Sequence, residues 1–151
     1  MSRIESTLLV QKSIEEAFAF LNDPENHRRF IQRCEEFKQT SAGEFGQVGA
    51  TVKGLLNYFG LRIPVDYEII DYQPDQRLAM KGTMGSIRFT DGYTLTASPE
   101  GTRLTFWLEL TLTGWTVIFQ PFKGLIGKIH AWETLRNLKR EIDNMSLRGG
   151  R

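Results

Sequence analysis

The sequence predicts an α+β domain in which one antiparallel sheet is covered by a long C-terminal helix. Between residues 34 and 114, short runs rich in Val, Ile, Thr, Tyr and Phe alternate with polar residues and are separated by glycines, which is typical of antiparallel strands. Residues 114–145 form the one segment that is long and periodic enough for a major helix. We therefore predict a single domain over residues 1–145 and a flexible tail over residues 146–151.

The first thirty residues predict a strand followed by two short helices. Residues 4–12 alternate as a strand does. Ser13 and Glu16 have the spacing of a capping box, so a helix is expected to begin there. Asp23 and Pro24 have the pattern of an N-cap and a first helical residue, so a second short helix follows and ends near Gln32.

Six further strands are predicted, and their alternation indicates which way the side chains face. One face of the sheet is apolar and the other carries Thr and charged residues. The apolar face needs a cover, and only the C-terminal helix is long enough to provide it. The first half of that helix is apolar but interrupted by Pro121, Gly124 and Gly127, so we predict that it covers a cavity. The strands are expected near residues 34–41, 48–58, 61–72, 77–83, 86–98 and 102–113.

Three stretches resemble the polyketide cyclase/dehydrase and lipid-transport family of the START and Bet v 1-like (SRPBCC) superfamily. They are VQKSIEEAFAFLNDPEN at 10–26, YEIIDYQPDQRL at 67–78 and GYTLTASPEGTRLTF at 92–106. The resemblance extends over residues 4–145. It implies a helix-grip fold, in which a curved seven-stranded antiparallel sheet wraps around the C-terminal helix and two short helices follow the first strand. It also implies a cavity for apolar ligands, but no shared catalytic residues.

Composition excludes several classes of protein. Nineteen Lys and Arg against 18 Asp and Glu give no reason to expect a nucleic-acid partner. No run approaches the ~20 apolar residues of a membrane-spanning helix, so stable membrane insertion is not expected. A polar N-terminus and one cysteine favour the cytoplasm. Cys34 is either a nucleophile or, as we expect, a structural residue. The two histidines and one cysteine lack metal-ligand spacing, so we expect neither a metal nor a cofactor.

Asp91 is the most informative polar residue, because it is in register with the apolar residues of its strand. It is either a cavity acid that binds a ligand oxygen or transfers a proton, or a β-bulge at Gly92 turns it outward. Tyr67 and Tyr93 share the inward face and are either ligand contacts or core aromatics. The predicted cavity walls are formed by Phe89, Leu108, Phe122, Ile126 and Ile129.

Other residues leave alternatives open. His130 is either a catalytic base or, as we expect, a histidine at the boundary of the core, and His27 is expected to be exposed. Trp107 points to the polar face, either as a dimer contact or beneath Lys and Arg side chains. A second apolar cluster surrounds the turn at Gly60. It is either a gate or a transient membrane- or partner-touching lip, or it folds over the helix start; it consists of Leu55, Leu56, Tyr58, Phe59 and Leu61.

The leading functional hypothesis is the binding or carriage of a hydrophobic small molecule, such as a lipid, a quinone or a polyketide-like compound, in the internal cavity. A second hypothesis is a cyclase or dehydratase that uses Asp91 or Tyr93 as an acid or base. A third is an interaction module of the quinone-chaperone or ribosome-associated-toxin type. No catalytic residue is assigned, and the protein is expected to be a monomer or a homodimer.

Overall fold

The computed structural model describes residues 3–145; the predicted tail at 146–151 lies outside them. Strand β1 is followed by helices α1 and α2, six strands, a 3₁₀ segment and a long helix. The elements are β1 Ile4–Val10, α1 Ile14–Leu21, α2 Pro24–Phe30, β2 Cys34–Gln39, β3 Thr51–Tyr58, β4 Leu61–Gln73, β5 Arg77–Met84, β6 Ile87–Ser98, β7 Gly101–Leu112, the 3₁₀ segment Gly114–Phe122 and α3 Lys123–Asp143. The predicted fold class is confirmed.

The seven strands form one sheet in the order β1-β7-β6-β5-β4-β3-β2, and every neighbouring pair is antiparallel. β2 to β7 are joined in sequence, as the short turns predict, while β1 pairs with β7, with Ile4 opposite Leu108. The register shifts at two places, between Cys34 and Glu36 in β2 and between Ile69 and Asp71 in β4. Such shifts increase the local bend of a strand, and a bent sheet can curve around a helix.

The two short helices begin as their capping patterns predict. The Glu16 N–H donates to Ser13 Oγ at 3.1 Å, and the Glu16 carboxylate accepts from the Ser13 N–H at 3.1 Å. In α2 the Asp23 side chain accepts from the Glu25 N–H at 3.0 Å. Both helices pack on the apolar face of the sheet, since Phe18 contacts Tyr72 and Phe30 contacts Tyr93. The sequence suggested that the long helix alone covers the apolar face of the sheet. In the structure α1 and α2 cover part of it as well.

His27 is fully buried, so the prediction that it is exposed is wrong. It lies one turn before Phe30 on the inner side of α2, and its ring stacks on Phe37 at 4.8 Å between centroids. His27 Nε2 donates to the Leu21 carbonyl oxygen at 2.7 Å, which leaves Nδ1 without a partner among the described residues. The prediction relied on the charged residues that follow His27 in the sequence. Arg28 and Arg29 are turned towards solvent, whereas His27 is turned towards the core.

The C-terminal segment differs most from expectation. Its first nine residues form the 3₁₀ segment, which contains Pro121, and the α-helix starts only at Lys123. The face of α3 that contacts the sheet carries small residues at Gly127 and Ala131, followed by larger ones at Leu135 and Leu138. No helix within residues 3–145 combines the length and the apolar character needed to cross a membrane.

Candidate functional site

A cavity of about 160 Å³, partly open to solvent, lies between the sheet and the start of α3. Strands β3 to β7 supply one wall and α3 supplies the other, as the strand alternation predicts. Most of the lining is aliphatic or aromatic, and the polar groups are few. The lining residues are Ile31, Leu56, Tyr58, Val65, Tyr67, Met80, Met84, Ile87, Phe89, Asp91, Tyr93, Phe106, Leu108, Leu110, Ile126, Gly127, His130 and Thr134.

Asp91 is the acidic residue of this cavity. Asp91 is 8 % exposed, and its Oδ1 atom is buried with no hydrogen-bond partner among residues 3–145. Burial disfavours the charged carboxylate and raises the pKa of Asp91 to about 7 from an ordinary value of 3.8. Below that pH the side chain is a neutral acid whose O–H can donate a hydrogen bond into the cavity.

The alternative of a bulge at Gly92 is wrong, because the ladder is regular on both sides. Asp91 lies opposite Met80 and Leu108, and Gly92 lies opposite Ala79 and Trp107, with no shift of register. The glycine has a different cause. A Cβ at Gly92 would lie 2.7 Å from the Trp107 ring, so glycine makes room for the indole on the outer face of the sheet. Trp107 itself is covered by the Arg3 guanidinium, 4.1 Å from the ring centroid.

Two phenols join Asp91 in the cavity lining. Tyr67 and Tyr93 are both buried, and the pKa of each is raised well above 10, first by burial and then by the negative charge of Asp91. Both phenols therefore keep their protons at neutral pH and can donate hydrogen bonds. The Tyr67 ring packs edge-on against Phe89, with centroids 5.5 Å apart. A Cβ at Gly82 would collide with the Asp66 carbonyl oxygen and lie 2.6 Å from the Phe89 ring, so the glycine makes room both for the neighbouring strand and for this ring.

His130 lines the cavity, whereas the sequence favoured a position at the boundary of the core. Its Nε2 lies 3.4 Å from Thr134 Oγ1, and its ring lies 6.1 Å from that of Phe106. Burial lowers the pKa of His130, so the imidazole is neutral at neutral pH. Ile126, His130 and Thr134 are spaced four residues apart, and this spacing could have identified the inward line of the helix.

The protein family follows from a comparison with family models. The family described as "Polyketide cyclase / dehydrase and lipid transport" matches residues 1–145. This chain belongs to that family. The resemblance drawn from the three sequence stretches is thereby confirmed. No curated protein matches the chain.

Solved structures share the fold of this family member at low sequence identity. The Zhui aromatase/cyclase from Streptomyces sp. R1128 has a TM-score of 0.77 at 12 % identity, covering 95 % of this chain and 94 % of its own. A conserved protein from Geobacillus kaustophilus has a TM-score of 0.75 at 19 % identity, covering 95 % and 97 %. A protein from Thermus thermophilus has a TM-score of 0.75 at 13 % identity, covering 93 % and 97 %.

Six of the eight predicted ligand contacts line the cavity of this polyketide cyclase/dehydrase and lipid-transport family member, and two do not. Phe122 and Ile129 are not among the lining residues, and they are 56 % and 49 % exposed. Phe122, Ile126 and Ile129 were predicted to share the face of the helix that covers the cavity, and of these three only Ile126 reaches it. A Cβ at Gly127 would collide with the Ile4 side chain, so the close contact with β1 is made by this glycine and not by the larger residues beside it.

Other candidate sites have less favourable chemistry. Burial raises the pKa of the Cys34 thiol to about 11, which makes a thiolate nucleophile unfavourable. No group of three or more His, Cys, Asp or Glu within residues 3–145 is arranged to hold a metal ion.

A wider depression of about 560 Å³ lies across β3 to β7 and includes side chains of the polar face. The ion pairs Lys53–Asp66 and Lys81–Glu68 occupy it, so it does not suit an apolar ligand.

Proposed function

We propose that this protein binds and carries a mostly apolar small molecule that has a hydrogen-bond-accepting oxygen. The observation that carries the proposal is the buried Asp91 carboxyl group, whose Oδ1 has no protein partner within residues 3–145, in an otherwise apolar cavity. An unpaired buried polar atom costs about 1–3 kcal/mol, and a ligand oxygen that accepts from the neutral acid would remove that cost. Apolar contact with the walls supplies the remaining affinity.

The size of the cavity limits the ligand in this conformation. About 160 Å³ is smaller than the roughly 300–1,000 Å³ of ordinary small-molecule pockets. A cavity of about 150 Å³ accommodates a molecule the size of benzene. A lipid, quinone or polyketide-like molecule with more than one ring would therefore require α3 and the β3–β4 hairpin to separate.

A pair of probes with the same shape tests the polar contribution. Acetophenone and α-methylstyrene differ chiefly in that one has a carbonyl oxygen and the other a methylene group. We expect acetophenone to bind about five- to tenfold more tightly at pH 6, the gain of one buried hydrogen bond. Asp91→Leu should abolish this preference, whereas Asp91→Asn, which still has an N–H donor, should retain it. Isothermal titration calorimetry measures each affinity.

The pH dependence of the same preference provides an internal control. In the wild-type protein the preference for acetophenone should decline as pH rises through about 7, where Asp91 loses its proton. In Asp91→Asn it should not change, because the amide does not titrate in this range. Equal affinities for the two probes at pH 6, or the same pH profile in both proteins, would contradict the proposed role of Asp91.

Native mass spectrometry of protein purified from cell lysate identifies the natural ligand class. We expect a bound species of low polarity, and Asp91→Leu should carry less of it. The absence of any bound species, together with no binding of either probe, would exclude ligand carriage as the function.

The same cavity favours a second candidate, an enzyme of the cyclase or dehydratase type. The specific observation is a carboxyl group whose pKa of about 7 suits it to exchange a proton near neutrality, beside two phenols. Asp91→Asn and Tyr93→Phe separate the two candidates. Turnover of the lysate-derived ligand that is lost in the variants while ligand affinity is retained favours the enzyme, whereas no turnover by the wild-type protein favours binding as the function.

A further inference from the structure

Large apolar side chains are exposed along the 3₁₀ segment, the start of α3 and the β3–β4 turn. Among them, Phe59 is 91 % exposed, Ile118 is 69 % exposed and Trp115 is 68 % exposed. Small proteins rarely expose a large contiguous apolar surface unless it meets another surface. We call this surface the apolar patch; it consists of Phe59, Leu61, Trp115, Ile118, Phe122, Leu125, Ile129 and Trp132.

The apolar patch borders the cavity. Tyr58 of the β3–β4 hairpin and Ile126 of α3 both line the cavity, and Phe59 and Leu125 are their immediate neighbours in the chain. The hairpin and the helix therefore present apolar side chains at the same end of the molecule. The alternative in which this hairpin tip folds over the helix start is wrong, because a packed Phe59 could not be so exposed.

Positive charges outnumber negative ones at the patch, where the acidic residues are Glu133, next to Trp132, and Glu35, which pairs with Arg62. No Asp or Glu occurs between Glu109 and Glu133, and the same stretch contains Lys123 and Lys128. Lys123 Nζ donates to the Leu110 carbonyl oxygen at 3.2 Å, whereas Lys128 makes no ion pair within residues 3–145.

Arginines add positive charge beside the aromatic rings at two edges of the patch. The Arg33 guanidinium lies 4.9 Å from the Phe59 ring centroid, and that of Arg136 lies 4.5 Å from the Trp132 ring centroid. Exposed Trp, Phe and Leu side chains with Lys and Arg at the border form the pattern that binds in the headgroup region of a membrane.

We propose that the apolar patch docks on an anionic lipid bilayer, with the aromatic side chains among the headgroups and the basic residues on the anionic phosphates. Each Lys or Arg near such a surface adds attraction, which an uncharged bilayer does not provide. A two-fold dimer through the patch would place the same positive border against itself, which disfavours a second copy of this chain as the occupant. Docking turns the end of the molecule that contains the cavity towards the lipid, and it does not depend on the identity of the ligand.

Co-sedimentation with vesicles tests the charge requirement. We expect the wild-type protein to bind vesicles of phosphatidylcholine and phosphatidylserine and to bind vesicles of phosphatidylcholine alone at least about tenfold more weakly. Lys128→Glu should weaken binding to the anionic vesicles by about tenfold. Equal binding to the two kinds of vesicle, or none to either, would overturn the proposal.

Matched substitutions locate the docking surface. Ile118→Asp and Leu125→Asp both change exposed side chains, so the fold should be retained while binding to anionic vesicles is lost. Val48→Asp is the control, because Val48 is 63 % exposed and precedes β3, at the opposite end of that strand from Phe59. Circular dichroism verifies that each variant is folded. If Val48→Asp weakened binding as much as Leu125→Asp, the patch would not be the docking surface.

The tryptophans report the orientation directly. A variant that keeps only Trp115 should be quenched by lipids with brominated acyl chains, whereas one that keeps only Trp107, on the outer face of the sheet, should not. Equal quenching of both would contradict docking through the patch.

Size-exclusion chromatography with light scattering tests whether a second copy of this chain occupies the patch instead. A stable wild-type dimer that Leu125→Asp dissociates would assign the patch to self-association. Asp91→Leu should bind anionic vesicles as the wild type does even if it no longer binds the ligand. The docking proposal and the proposed ligand function can therefore fail independently.

Discussion

Asp91 is a polar residue on the apolar face of the sheet, both in the sequence-based prediction and in the structure. The side chain has no ion-pair partner among the described residues, and burial alone accounts for its raised pKa. A carboxyl group in this position destabilises the empty fold whenever it is charged. Destabilising groups of this kind are typical of binding and catalytic sites, which is why Asp91 carries the proposed function.

The first prediction concerns stability and pH at Asp91. The pKa is raised in the folded state, so the folded protein holds this proton more tightly than the unfolded chain does between about pH 4 and pH 7. The free energy of unfolding of the wild type, relative to Asp91→Asn, should therefore fall through that window by up to about 4 kcal/mol. Urea denaturation of both proteins across this range measures it. A constant difference would show that the carboxyl group is not desolvated.

The second prediction concerns His27 and has the opposite sign. Burial lowers the pKa of His27 from 6.5 to about 4, so the unfolded chain binds this proton more readily. The contribution of His27 to stability should fall as pH decreases from 6.5 towards 4. His27→Phe keeps an aromatic ring against Phe37 and should remove this slope, whatever its effect on stability at pH 7. Urea denaturation at several pH values detects the slope, and an unchanged slope would contradict the assignment.

At the scale of elements, α3 shows how packing overrides apolar periodicity. Its buried face contains Gly127 and Ala131, while Leu125 and Ile129 are about half exposed or more. The backbone of α3 approaches β1 so closely that a Cβ at Gly127 would collide with Ile4 Cδ1. A close helix–sheet contact requires small side chains, and the large apolar side chains are consequently displaced to the outer faces of the helix.

The third prediction compares the two glycines of α3. A Cβ at Gly124 meets no atom within 4 Å, so Gly124→Ala should raise the free energy of unfolding by about 0.5–1 kcal/mol through helix propensity. Gly127→Ala has the same propensity gain but has to displace Ile4, so its stability should be lower than that of Gly124→Ala. Thermal and urea denaturation measure both. Equal gains would mean that Ile4 moves without cost.

At the scale of the whole molecule, the cavity exists because two covers meet on one curved sheet. α1, α2 and the second half of α3 cover the apolar face, and the start of α3 leaves a gap above Tyr67, Phe89 and Asp91. The apolar patch borders the same gap. The arrangement places the proposed ligand site beside the proposed docking surface, and neither is evident from a single element.

The fourth prediction concerns the stability of the loaded protein. If acetophenone occupies the cavity of the folded state alone, a concentration about one hundred times its dissociation constant adds about 2.7 kcal/mol to the free energy of unfolding. The melting temperature should rise by roughly 6 °C, and the rise should increase with ligand concentration. Differential scanning calorimetry measures it, with Val48→Asp as a control that should behave as wild type. No rise at that concentration would show that acetophenone does not bind preferentially to the folded state, which would contradict its occupation of the cavity.

Local sequence patterns were sufficient to predict the strands and which of their residues face the cavity. Strands alternate strictly, so the positions of Tyr67, Phe89, Asp91 and Tyr93 on one face follow from counting residues, and the structure has all four in the cavity lining. The caps at Ser13 and Asp23 follow equally from local chemistry. These features depend on neighbours in the chain, which a sequence contains completely.

The side of the helix that faces the sheet, and the surroundings of the polar groups, depend on long-range packing. Apolar periodicity indicates that a helix has an apolar stripe, but the closeness of β1 determines whether large or small residues face inward. For that reason Phe122 and Ile129 were predicted to line the cavity and do not, whereas His130 lines it and was not among the predicted contacts. The burial of His27 likewise depends on Phe37 and Tyr93, which are distant in sequence. Packing volume and long-range contacts are properties of the folded chain, and a local pattern does not contain them.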